Sequence, residues 1–542
     1  MTSPDSLAGL SGPAQVPAAP KPGSVEALLK KRWARLLIPS LSDLFFVSVM
    51  IALFLSGSGG FHLLLGDADS GWHIRTGEYI LDHGVVPHQD LYSFSKAGDT
   101  WYAWEWLSDI FFAVMFRIGA LKGVTLATAL ILVVYATTLM RRAIWLGANP
   151  LIAILVSLVS IGAATNHFLA RPHIFTLLLL SISVWMIQAD RKRASGRIWW
   201  LVPMTIVWTN LHGGFLALVA VLGLTAVGTA VEAWLGAGRT LRDAIRYLGL
   251  TVACMAASLV NPYGWNLHLH VVDYLQSDWI RSVIQEFQSP SFRSEGMLQF
   301  EVLLLLGLIV AATQFAQKRV VEGLWIVFWA HMALASVRHC SIFVTVVGPI
   351  LALQLTRWWN LAARKASKNS LLGIADSICN DSVAAFRRTS ILPVVMAVAI
   401  MFIGAPIAWP TDYPKPLFPV EIVNEYADII HGARVLTSDQ WGDYLIFKFP
   451  DQKVYIDGRS DFYGPEVGKE YMKVSNGHWD WRKILEKNKF DVVLIEPEMP
   501  ISQLLKREPD WKVVADDGKA ILMVRRDRDG SANRASLSEP RF

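Results

Sequence analysis

The chain has 542 residues, 53% hydrophobic and only 18% charged, with a formal net charge of +5 and a mean hydropathy of +0.37. That composition excludes an ordinary soluble enzyme and points to many membrane spans. Lys and Arg fall in short clusters between apolar runs, which excludes a nucleic-acid surface, and Cys254, Cys340 and Cys379 stand far apart with no metal, redox or disulfide spacing.

Residues 1–28, rich in Pro, Ala, Ser and Gly, read as a disordered cytoplasmic tail without the order of a cleaved signal peptide. Lys30, Lys31, Arg32 and Arg35 then precede the first apolar run, 36–57, and the positive-inside rule keeps the N-terminus in the cytoplasm. The polytopic part runs from 29 to 409, and its first outer segment covers 58–122. There the stretch Leu65–Glu78 (LGDADSGWHIRTGE) packs Asp67, Asp69, His73, Arg75 and Glu78 just beyond a span, where ionisable groups usually have a purpose. Trp101, Trp104 and Trp106 close the loop as interfacial residues do. Glu105–Arg117 places Glu105, Ser108 and Asp109 on one helical face and predicts an amphipathic helix in the outer interface.

Further apolar runs at about 123–140, 150–166, 174–189, 198–210, 213–235, 246–260, 300–316, 322–337, 340–356 and 391–409 bring the expected total to about eleven spans. The basic clusters Arg141–Arg142, Arg191–Arg197, Arg239–Arg246, Lys318–Arg319 and the Arg357–Arg388 loop all fall inside on this count. From 410 to 526 charge becomes frequent. Strands are expected at Arg434–Thr437, Tyr444–Phe447, Lys453–Ile456 and Asp491–Ile495, helices near 465–473 and 481–488, and a hairpin closes across Asp517–Gly518. The expectation is a small α/β domain on the extracytoplasmic side, followed by a disordered tail, 527–542.

Twelve of the thirteen histidines fall in outer loops, outer span ends or the outer domain; only His331 is mid-span. Four outer turns carry distinctive residues: Ala170–His173 (ARPH), Thr209–Gly214 (TNLHGG, with Asn210 and His212), Asn261–Trp265 (NPYGW, with Tyr263) and Ser336–Cys340 (SVRHC, with Arg338 and His339). Together with Asp67, Asp69 and His73 they define a water-filled cavity of convergent ionisable groups. Cations there suit a lipid-linked phosphate, and a carboxylate can deprotonate an acceptor hydroxyl. The alternative for Asp67, Asp69 and His73 is a divalent metal, Mg²⁺ or Mn²⁺. No motif demands any other cofactor.

The Asp67-Ala68-Asp69 loop, the interfacial helix after it, the many spans and the outer C-terminal domain resemble the GT-C superfamily of membrane glycosyltransferases. Ser438–Tyr444 (SDQWGDY) is a loose relative of the Trp-Trp-Asp-Tyr-Gly motif of oligosaccharyltransferase catalytic subunits, with Gly442 in place of a second Trp-side residue and no Gly after Tyr444. A more distant similarity reaches protein O-mannosyltransferases, and the runs DADSGWHIRTGEYILDHG, WEWLSD, ARPH, NLHGG, NPYGW and YIDGRSDFYG are similar to a branch of bacterial membrane proteins. The resemblance implies a GT-C-like all-α polytopic bundle in the cytoplasmic membrane. The implied reaction moves a sugar from a polyprenyl-phosphate donor to a lipid, glycan or protein acceptor of the envelope. It implies Asp67 as base, with Asp69 and Glu78 in the catalytic set. Arg171, Arg338, His173 and His339 would hold the donor phosphate. His73, Arg75, Asn210, His212, Asn261, Tyr263, Asp443, Tyr444, Asp457 and Arg459 would line the cavity. A transporter or flippase of an anionic lipid-linked substrate, or an inactive scaffold of the same fold, would share the architecture. The spans are nearly free of charge and the polar residues gather at one end, which favours surface chemistry over passage.

Overall fold

The computed structural model describes residues 31–55, 63–402 and 409–526. The two tails expected to be disordered lie outside these residues. The principal helices in the first four hundred residues are α1 (Leu41–Leu55), α2 (Asp69–His83), α3 (Trp106–Leu146), α4 (Pro150–Ala164), α5 (His173–Lys192), α6 (Leu201–Leu211), α7 (Phe215–Trp234), α8 (Leu241–Ala257), α9 (Trp265–Gln276), α10 (Asp278–Val283), α11 (Met297–Ala316), α12 (Val320–Ala335), α13 (Cys340–Ala363), α14 (Leu371–Phe386) and α15 (Leu392–Phe402). Each apolar run read from the sequence falls on one of them. Among the described residues, however, six helices have the length and apolarity of a span, and Leu41–Leu53, Val320–Ala335 and Leu392–Phe402 are apolar but shorter. Run length in sequence overstates helix length where a run opens in another conformation: the 198–210 run becomes α6 only from Leu201, its first residues lying in a 3₁₀ turn, Gly196–Trp200.

Local signals explain the boundaries. Asn149 caps α4 through its side chain with Pro150 at the first position, and Thr240 and Asp243 form a capping box on α8. α3 is two helices in series. Its first part follows the expected amphipathic helix and breaks at Gly119–Ala120, where Ala120 takes φ 50°. In α13, Pro349 lacks the N–H that would bond the Thr345 carbonyl. The fully buried Arg142 supplies the replacement, donating to the carbonyls of Thr345 at 2.7 Å and Val346 at 2.8 Å and to Gln188 at 2.9 Å. An arginine from the expected basic cluster is thus a buried backbone donor.

Leu65–Glu78, expected as a loop, is mostly helix. α2 starts at Asp69, whose N–H is accepted by the Asp67 carboxylate at 2.9 Å, and ends at Gly84 in the left-handed region. It is wedged between two other helices, and glycines make that possible. A Cβ at Gly77 would stand 2.0 Å from the Asp109 carbonyl of α3. One at Gly71 would stand 2.8 Å from Phe447 Cβ in α16 (Asp439–Lys448).

The C-terminal part carries a mixed sheet in the order β1-β2-β4-β3, from β1 (Val435–Leu436), β2 (Val492–Ile495), β3 (Trp511–Asp516) and β4 (Ile521–Arg525). β1 lies parallel to β2, β4 antiparallel to both β2 and β3. α16, α17 (Ser460–Ser475) and α18 (Trp481–Asn488) lie between β1 and β2 in the chain. Two expected strands differ. Tyr444–Phe447 lies inside α16, because a continuous buried run does not distinguish helix from strand. Lys453–Ile456 forms only bridges, from Val454 to Ser93 and to Val435. The first of these ties the C-terminal part to the loop after α2.

Candidate active site

A cavity of about 1180 Å³ is enclosed by the start of α2, the start of α3, the turns before α5, α7 and α13, the segment around Glu286, and the C-terminal residues Asp439–Asp461. Arg171 lines it. One guanidinium nitrogen lies 2.7 Å from Asp67 and 3.0 Å from Glu286, and another lies 2.7 Å from Asp69. Such charge-assisted pairs are short and strong. Burial weighs against ionised Glu286, but Arg171 and then Arg338 outweigh it and hold its carboxyl well below the usual range. Burial also works against the Arg171 charge, and the carboxylates reverse it and keep the guanidinium protonated.

Asp69 behaves differently from Asp67. Burial pushes its carboxyl up, Arg171 opposes this, and Asp67 adds to it. Its hydrogen-bond partner is Asp443, which burial and the Asp69 charge also raise. Two carboxyls in one buried place do not both ionise, so the pair holds a proton. Asp443 is fixed by the Gly458 N–H, 3.0 Å from both of its oxygens. A Cβ at Gly458 would stand 2.1 Å from Asp69 Oδ1, so the backbone can lie here only without a side chain.

A second carboxyl group faces the cavity. Glu105 lies 3.7 Å from His73 Nε2 and 3.6 Å from His212 Nε2. His73 Nδ1 is 2.6 Å from Asp109 Oδ1, while His212 Nδ1 accepts the Gly214 N–H at 2.9 Å, which assigns the His212 proton to Nε2, facing Glu105. Burial, then the Arg171 charge, keep His73 neutral; burial, then Arg338 and Arg171, lower His212 to about 3. Burial pushes Glu105 up to about 8, so it carries a proton at neutral pH. Below the ordinary carboxylate range the folded and unfolded chains are equally protonated at this site. Between that range and about pH 8 the folded chain alone keeps the proton, so stability falls as pH rises through the window. The unfolding free energy in detergent is expected to fall less steeply from pH 5 to 8 in Glu105→Gln than in the parent, by at most about 1.4 kcal/mol per pH unit, and thermal midpoints followed across that range check it. Identical slopes would remove the buried proton from Glu105.

Arg338 lies over the Phe287 ring, 4.5 Å from its centroid, and among the described residues no carboxylate comes within ion-pair distance of it. His173 and His339 line the cavity but spend one nitrogen each on a carbonyl, of His167 at 2.6 Å and Met332 at 3.2 Å. Asp457 and Arg459 also line it, as a locked unit. Arg459 donates to Asp457 at 2.6 and 2.8 Å and to Asp90 at 2.9 Å, Tyr463 donates to Asp457 at 2.7 Å, and the guanidinium lies 4.6 Å from the Trp101 centroid.

Other residues expected here lie elsewhere. Arg75 bonds the Phe447 carbonyl and Glu78, at 3.0 and 2.6 Å, docking α2 on α16; both are turned away from the cavity by the helical winding of a stretch expected as loop. Asn210 accepts from Trp106 Nε1 at 2.7 Å. Asn261 bonds within its own turn. Tyr263 donates to the Pro87 carbonyl at 2.9 Å and accepts the Ala103 N–H at 2.8 Å. Tyr444 is buried against Asp412. Among the described residues no group of three His, Cys, Asp or Glu is arranged to hold a metal ion. Arg171 bridges Asp67 and Asp69, and His73 is engaged by Asp109, so the three do not fit a metal in this arrangement. In the sequence Glu105 is only one member of an amphipathic face, and Glu286 shares its segment with three other carboxylates that nothing local sets apart from it.

The fold is GT-C-like. The chain is similar to the oligosaccharyltransferase AglB of Archaeoglobus fulgidus in complex with an inhibitory peptide and a dolichol-phosphate, at 12% identity over 91% of this chain and 74% of AglB, with a TM-score of 0.53. It is similar to ArnT from Cupriavidus metallidurans bound to undecaprenyl phosphate, at 16% identity over 92% of this chain and 99% of ArnT, with a TM-score of 0.50. No protein-family model and no curated protein sequence matches the chain.

Proposed function

We propose that this chain is a membrane glycosyltransferase that moves a sugar from a polyprenyl-phosphate-linked donor to an envelope acceptor on the extracytoplasmic face. One observation carries the reading. The cavity combines a cation with no carboxylate within ion-pair distance among the described residues, Arg338, with apolar lining from Leu216, Ala217 and Ala220 of α7 and Phe328 and Met332 of α12. A lipid phosphate requires that juxtaposition of charge and hydrocarbon. The two solved neighbours bound to dolichol-phosphate and undecaprenyl phosphate support it. In this reading residues 410–526 form the extracytoplasmic domain and the positive-inside pattern sets the topology.

The residues divide the work. Arg338 holds the donor phosphate. Asp67, 15% exposed and oriented by Arg171, takes the proton of an acceptor hydroxyl while the hydroxyl oxygen bonds to the anomeric carbon. The bond from that carbon to the phosphate oxygen breaks, and polyprenyl phosphate leaves on Arg338. Arg171, held by three carboxylates, is a positioning residue more than a phosphate ligand. Arg338→Gln is therefore expected to weaken undecaprenyl phosphate binding by roughly 10- to 100-fold, the loss of hydrogen bonds to a charged group, about 1.5–3 kcal/mol. Arg338→Lys should retain part of the affinity. An unchanged dissociation constant in Arg338→Gln would move the donor phosphate to another cation.

A further inference from the structure

A second cavity, of about 480 Å³, lies at the other end of the bundle. α5 joins the two: His173 in its first turn faces the first cavity, and Arg191 and Lys192 in its last turn face the second. A helix of this length spans about 30 Å, so the second cavity is a separate place, and its chemistry stands whether or not the first cavity transfers a sugar.

Five cations line it, Arg191, Lys192, Arg239, Lys318 and Arg319, against two carboxylates, Glu232 and Glu322, an excess of three positive charges. The carboxylates are already committed. Arg191, 8% exposed, lies 2.9 Å from Glu232, and Arg319 lies 2.8 Å from Glu322. Lys192 and Lys318 have no carboxylate within ion-pair distance among the described residues. Lys192 rests 3.8 Å from the Trp145 ring centroid and 3.4 Å from the Trp145 carbonyl. Lys318 is 3.2 Å from the Leu235 carbonyl. Cations do gather at helix C-termini, and these carbonyl contacts are of that kind, but helix capping does not call for two ammonium groups without a carboxylate, in a net excess of three charges, around one hollow.

The backbone supplies an independent observation. Lys318 has φ 55°. Its N–H bonds the Phe315 carbonyl and the Arg319 N–H bonds the Gln314 carbonyl, both at 2.9 Å. This is the Schellman closure of α11, with Lys318 at the left-handed position that glycine ordinarily fills. A side chain kept at a strained backbone position is informative when the chain gains something from that side chain. Here it is an exposed ammonium group on the rim of a cationic cavity.

We propose that this cavity binds a phosphate group, held by Lys192 and Lys318. The phosphate is either the headgroup of a membrane lipid, since basic pockets between helix ends suit anionic headgroups, or a soluble phosphate compound. Two arms of one experiment separate these sources. In the first, the full chain in uncharged detergent is titrated with inorganic pyrophosphate at constant ionic strength and its thermal midpoint followed. In the second, the chain is reconstituted in discs of phosphatidylcholine with or without phosphatidylglycerol, and retained lipid is counted by native mass spectrometry. A saturable rise in midpoint in the parent, with apparent affinity at least tenfold weaker in Lys318→Gly and in Lys192→Gln, assigns a soluble phosphate. Retention of phosphatidylglycerol by the parent, lost in both variants, assigns a lipid. Lys318→Gly is expected to keep or raise the ligand-free midpoint, because it removes the strained side chain, so its loss of binding is not a loss of fold; Lys192→Gln repeats the test at a relaxed position. Equal behaviour of parent and both variants in both arms would overturn the proposal.

Discussion

Replacing Asp67 by Asn is expected to reduce turnover by ~10²- to 10⁴-fold, the usual loss on removing a general base, while donor binding changes little. The substitution keeps the shape of the side chain. The Asn oxygen can still accept the Asp69 N–H, the bond made by Asp67 Oδ1 at 2.9 Å. Its amide nitrogen, however, would face the Arg171 nitrogen that the carboxylate accepts at 2.7 Å, donor against donor, so a local shift of Arg171 must be separated from loss of the base. Three measurements do this together: the thermal midpoint, the dissociation constant for undecaprenyl phosphate, and turnover once the sugar donor is known. Loss of turnover with the first two intact assigns Asp67 to the chemical step. A fall in all three assigns it to positioning Arg171. Full turnover in Asp67→Asn would sink the assignment outright. Asp69, which shares a proton with Asp443, is expected to be the less available base of the two.

The largest effect on stability is expected at Arg459. The guanidinium and its carboxylate partners Asp457 and Asp90 have side chains at most 1% exposed, one partner from the loop after α2 and the other from the C-terminal part. Rings surround it, with Tyr92, Trp101 and Phe462 each about 5 Å away. Arg459→Met removes the cation and leaves two carboxylates buried without a counter-charge, which typically costs about 3–5 kcal/mol. Because the cluster joins two parts of the chain, the loss should show first as detachment. Limited proteolysis between Trp409 and Ser460 is expected to accelerate at temperatures where the helical bundle still resists. Arg459→Lys keeps the charge without the two-pronged geometry and should fall between. A drop below about 1 kcal/mol in Arg459→Met would mean that ring packing, not ion pairing, holds the junction.

The long apolar helices are legible because hydrocarbon sets a length that composition reveals directly. The span count is less so: α6 begins later, and α12 ends sooner, than their apolar runs, since local backbone turns bound a helix irrespective of the hydropathy around them. In the site, ARPH, TNLHGG and SVRHC could be placed at span ends, and Arg171, His212 and Arg338 do line one cavity. What sequence could not give was orientation. Arg75 and Glu78 sit close to Asp69 in the chain, yet α2 turns them against Phe447 and leaves Asp69 facing Arg171. Nor could it give the pairing of Asp69 with Asp443, which depends on Gly458 bringing a bare backbone between them.

That pairing bears on when the protein becomes competent. Ala68 and Gln440, bonded at 3.0 Å where α2 meets α16, are 372 residues apart along the chain. While a ribosome is still making the later helices, Asp67 and Asp69 have Arg171 for company but neither Asp443 nor the Gly458 amide. The cavity is completed only after residues 439–461 have been made and docked against α2. A nascent or truncated chain lacking these residues therefore has an open, unassembled cavity.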